Sequence, residues 1–123
     1  MLLSPAAARK TLATIRIVNG AAGLLAPQLL LGRLGTDTRL DRSGFYPFRM
    51  FGIRTVLIGA DLLVLQGEQR RRAVQLAVLI HTTDTLSAAT AGVRGDLPRR
   101  AAVVTTLVSA TNTALALVAA SGE

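Results

Sequence analysis

Seven polar side chains that could do chemistry sit inside stretches that are otherwise apolar: Arg16 and Asn19, Arg54 and Asp61, His81 and Asp84, and Asn112. Arginine and aspartate at one level could neutralise each other, because a guanidinium presents a fork of donors that matches a carboxylate. His81 and Asp84, three residues apart, share a helical face and could pass a proton between imidazole and carboxylate. Two readings follow. In one the residues are pins that satisfy each other and set helix register; in the other they line a cavity for a proton, an ion or a polar headgroup. Other chemistry is poorly provided for. There is no cysteine, hence no disulfide or thiol redox couple, and one histidine without cysteine makes a poor metal site. No nucleophile elbow, phosphate loop, pair of glutamates or metal motif appears. The residues point away from an enzyme, and no cofactor is expected.

The elements that must hold these side chains are four apolar stretches, 11–31, 48–66, 73–92 and 101–120, with arginine-rich breaks between them. Each is close to the roughly 20 residues needed to cross a bilayer as a helix. Half of the 123 residues are hydrophobic, and charged residues, 17% of the chain, lie mostly between the stretches. A solvated helix would instead carry a charge every few residues along one face. Ala, Gly, Thr and Ser dilute the larger apolar residues and hold the mean hydropathy to +0.46. The expectation is an all-α protein: a four-helix transmembrane bundle, up-down-up-down, in a single domain spanning 1–123, with helices over about 5–31, 48–66, 73–92 and 98–120. The competing expectation is an unusually apolar soluble bundle.

The formal charge is +7, with basic residues grouped at the stretch ends: Arg9 and Lys10; Arg33, Arg39 and Arg42; Arg70, Arg71 and Arg72; Arg94, Arg99 and Arg100. Such a distribution suits the anionic headgroups of membrane lipids on both faces better than a single nucleic-acid-binding stripe. Lys10 is the one lysine and alanine is abundant, a bias that suggests a GC-rich bacterial genome; with four expected spans, the expected location is the bacterial inner membrane. Arg9 and Lys10 ahead of an apolar run imitate a signal peptide. No small-residue cleavage pattern follows, so the run reads as a retained first span.

Local signals set the expected boundaries. Ser4 can cap the first helix and Pro5 suits its first position. Pro27 should kink that helix late, freeing the Gly23 carbonyl. The segment 32–44 reads as a polar connection, and 67–72 as a tight turn joining helices two and three in an antiparallel hairpin. Gly95 should close helix three before helix four begins near Pro98. All four aromatic residues, Phe45, Tyr46, Phe48 and Phe51, fall together at the entrance of helix two. They suit either an aromatic belt at the membrane interface or packing under the preceding loop. On helix four, Thr105, Ser109, Asn112 and Ala116 make a small-residue face where another helix can approach closely, the candidate contact surface for a partner.

Depth estimates turn the buried polar residues into a specific pairing. Arg54 lies six residues beyond Phe48 and Asp84 eight before Gly92, so at about 1.5 Å per residue they sit roughly 9 and 12 Å below one surface. The same count puts Arg16 level with Asp61 near the other surface, and Asn19, His81 and Asn112 in a middle layer. The expectation is three stacked layers: Arg54 with Asp84, then Asn19 with His81 and Asn112, then Arg16 with Asp61.

Gly23-Leu-Leu-Ala-Pro27 with Gly32-Arg-Leu-Gly35, then Arg49-Met-Phe-Gly-Ile-Arg54 with Gly59, then His81 to Asp84, resemble segments of bacterial four-span membrane proteins of an uncharacterised family, distantly similar to DoxX-like proteins. The resemblance implies a four-helix bundle, points to Arg54 and Asp84, and brings a link to quinone or respiratory chemistry; the missing cysteines exclude a thiol mechanism of the vitamin-K-reductase type. The function expected first is a non-catalytic accessory subunit of a cell-envelope complex, meeting a protein partner or a second copy through its helix faces. The alternative is a binder or transporter of a small molecule (lipid, quinone or proton) that uses the central polar layer.

Overall fold

The computed structural model describes residues 3–123. It is all-α, with no strand among the described residues: α1 (Pro5–Leu25), α2 (Pro27–Arg33), α3 (Phe45–Val64), α4 (Gly67–Arg94) and α5 (Arg99–Ala120). Ser4 caps α1, its Oγ accepting from Ala7 N–H at 3.1 Å, and Pro5 takes the first position, where its missing N–H leaves nothing unsatisfied. Gly95 ends α4 in the left-handed conformation at φ 75°, and Asp96 N–H closes back onto the Ala91 carbonyl at 2.9 Å. In the connection after α2, Asp37 accepts from Arg39 N–H and from its guanidinium, which holds the carboxyl below its ordinary value.

Three boundaries differ from expectation. Pro27 does not merely kink the first helix; the chain turns by 107° at Ala26, and α2 sets off in a new direction. Pro27 is the first residue of α2, a position that tolerates its ring, so the change of direction costs little. The segment 67–72 is helical rather than a turn, and only Leu65 and Gln66 separate α3 from α4. Likewise α3 begins at Phe45, taking in the aromatic cluster.

Packing follows the small residues. α1 lies chiefly on α3, α4 on α5, and α1 joins the two pairs through α5. The α1–α3 approach is close because glycines meet there: a Cβ on Gly20 would stand 2.7 Å from the Gly52 carbonyl oxygen and 2.7 Å from Val56 N. α3 and α4, joined by only two residues as the expected hairpin requires, touch each other far less than α1 touches α3 or α4 touches α5.

The interior is divided. Ala8, Leu12, Ala13, Leu62, Val74, Ala77, Ala116 and Ala119 make a dry core in the half that holds both ends of the chain. There Arg9 Nη1 donates to the Leu62 carbonyl near the end of α3, and Arg70 pairs with Glu123 at 2.8 Å. The other half is not filled. α2 crosses its end, reaching from α1 and α3 towards the start of α5, where a Cβ on Gly35 would meet the Pro98 ring at 2.8 Å.

Many large apolar side chains are exposed. Val18, Leu25, Leu57, Leu79, Leu86, Leu107 and Leu117 are all more than half exposed, whereas eight of the fourteen buried hydrophobic residues are alanine. By length and composition one helix, Arg99–Ala120, is long and apolar enough to cross a membrane, and α1 with α2 would be a second if the bent pair is one broken span.

Candidate functional site

The unfilled half of the bundle is a cavity of about 420 Å³ to which all five helices contribute. Its volume lies within the roughly 300–1,000 Å³ of small-molecule sites. Its floor is polar and deeply buried: Arg16 and His81 are each 4% exposed, with Thr55 and Asn112 beside them. Leu30, Phe48, Ile58, Ile80 and Val108 line its walls, and the exposed side chains of Arg33, Arg54 and Asp84 rim it. The exposed lining residues thus belong to α2, α3 and α4.

One hydrogen bond organises the floor. Arg16 Nη1 lies 2.8 Å from His81 Nε2. An arginine nitrogen can only donate, so Nε2 accepts, and the neutral imidazole carries its proton on Nδ1. That Nδ1 faces Asp84 Oδ2 at 3.8 Å, too far for a hydrogen bond, and has no other partner. Arg16 Nε and the Thr105 hydroxyl are likewise buried without partners. The stem of Arg16 is pinned by close packing, since a Cβ on Gly59 would stand 3.0 Å from the Arg16 Cβ.

Six of the seven polar residues singled out from the sequence, Arg16, Asn19, Arg54, His81, Asp84 and Asn112, line this one cavity. The layered pairing is not what joins them. No ion pair forms between Arg54 and Asp84, although both line the cavity. Nor does Arg16 pair with Asp61. Arg16 does sit near the level of Gly59, but Asp61 is two residues further on, roughly 200° around the helix, and is exposed outside the cavity. His81 bonds to Arg16 rather than to Asn19 or Asn112.

The aromatic cluster divides by direction. Phe45 is buried with the Arg42 guanidinium 4.3 Å from its ring centre, Tyr46 is 72% exposed, and Phe48 and Phe51 pack edge-on at 5.9 Å and line the cavity. The face of α5 expected to meet a partner turns inward instead. Thr105, Ser109 and Asn112 line the cavity, and Ala116 is fully buried.

Compared with protein-family models, curated proteins and solved structures, the chain has no match. The chemistry of the site therefore rests on its own side chains. Among the charged lining residues, Arg33 is the one the sequence did not single out for this role: it reads as one more basic residue at a span end until the turn at Pro27 brings α2 to the cavity. Among the described residues no group of three or more His, Cys, Asp or Glu side chains comes together. What the arrangement offers is several hydrogen-bond donors at the bottom of an apolar-walled pocket with a charged rim.

Proposed function

We propose that this chain is a small multi-pass protein of the bacterial inner membrane that binds a small amphipathic molecule in its cavity. The carrying observation is the cavity itself: apolar walls over a polar floor whose buried groups are left without partners. A set of structural pins would satisfy itself, since a buried unpaired polar group costs about 1–3 kcal/mol. Here Arg16 Nε, His81 Nδ1 and the Thr105 hydroxyl remain unsatisfied around an open space.

The membrane setting draws support from the large apolar side chains exposed along every long helix, from small residues in the interior, and from basic residues at the helix ends. α3 carries three charged residues and α4 is less apolar than α5, yet Arg54, His81 and Asp84 border the cavity, and Asp61 is one turn from the end of α3. The DoxX-like resemblance implies the same setting. Of the two functions expected from the sequence, the binder gains from the open cavity. The accessory subunit loses the contact face proposed for it, because that face of α5 points inward.

The deciding experiment is purification in a mild detergent followed by mass spectrometry of everything that accompanies the protein. A small amphiphile retained at about one per chain supports the binder. A stoichiometric protein partner with no retained small molecule overturns it.

A further inference from the structure

We infer that the ligand is an acidic amphiphile, a single carboxylate or phosphate head on an apolar tail, with Arg16 as its anchor; this rests on the cavity-binding reading above. Arg16, Arg33 and Arg54 line the cavity against one acidic residue, Asp84. His81 adds no charge, since its Nε2 accepts from Arg16. The cavity is thus left with a formal surplus of two positive charges.

The buried groups without partners sharpen the choice. Arg16 is 4% exposed, has no carboxylate within ion-pair distance among the described residues, and leaves its Nε–H unused. The Nδ1–H of His81 is also unused, and so is the Thr105 hydroxyl. Two of the three can only donate and the third can donate as well, so the floor asks for acceptor lone pairs. An oxyanion supplies them together with the missing negative charge, as an alcohol or an amide does not. Leu30, Phe48, Ile58 and Ile80 then offer the tail an apolar wall, and the head lies deepest.

The test uses the full chain in a non-ionic detergent, titrated with fluorescent parinaric acid and, in parallel, with its methyl ester. The acid is expected to bind saturably and about tenfold or more tighter than the ester, the fold-change a charge-assisted hydrogen bond produces. Displacement by dodecanoate or by dodecyl phosphate then tells which oxyanion fits better. Arg16→Gln should abolish the preference for acid over ester. Should that variant fail to fold, Arg54→Gln, whose side chain is exposed on the rim, should reduce the preference about threefold through the weaker pull of a solvated charge. Equal or tighter binding of the ester overturns the acidic ligand while leaving the binder intact. Saturable binding of neither probe overturns both.

Discussion

At the scale of single residues, the bond from Arg16 to His81 decides the most. It gives a buried guanidinium one acceptor and fixes the imidazole tautomer. Replacing His81 with leucine keeps the bulk but removes the acceptor, which should destabilise the protein by about 1–3 kcal/mol. The measurement is thermal unfolding in detergent, with His81→Gln, which retains an acceptor, expected to recover part of the loss; a leucine variant as stable as the parent would show that Arg16 does not need this partner. Which polar residues to watch was legible from their place inside apolar runs, and six of the seven meet in the cavity. Their partners were not legible. Depth along a helix follows from residue count, but direction around it depends on which neighbour the helix faces, and Asp61 shares a level with Arg16 while pointing elsewhere.

At the scale of elements, glycine positions govern how α1 and α3 meet. A Cβ on Gly52 would run into the Gly20 carbonyl and the backbone of Leu24, so the helices would have to separate. Gly52→Ala should therefore cost about 1–3 kcal/mol by overpacking. Gly32→Ala in α2, where a Cβ meets nothing within 4 Å, is the control and should be neutral or stabilise by up to about 1 kcal/mol. Paired melting curves check both, and a Gly52 variant that melts with its control would remove the close crossing from the account. Helix existence was legible here from apolar stretches, the Ser4 cap and Gly95. The turn at Pro27 was not, because a proline after a run of apolar residues reads equally as a kink within one helix or as the first residue of the next.

At the scale of the whole molecule, one half of the bundle is dry and alanine-rich and the other holds a cavity. Filling that space should separate binding from folding. Ser109→Phe places a ring at a half-buried lining position, and it should eliminate the retained small molecule while leaving the helical circular dichroism unchanged. Persistent retention in that variant would move the ligand elsewhere. The exposed apolar surface makes a second forecast: the protein should sediment with membranes and resist extraction by high salt and alkali, yielding only to detergent. Recovery in the aqueous fraction would instead favour the apolar soluble bundle.

Taken by itself, the amino-acid order determined that the chain is helical, where its basic residues gather, and that polar side chains lie within apolar runs. These are local properties, set by hydrophobic period, capping chemistry and composition over a few turns. Only the tertiary structure decided that α1 rather than α4 packs on α3, that α2 turns across one end, and that the polar residues surround a space instead of pairing. Those outcomes depend on which helix faces fit at glycine contacts and on the direction taken after a proline. Both are contests between distant segments, won by close packing, and neither is written in any one stretch of the chain.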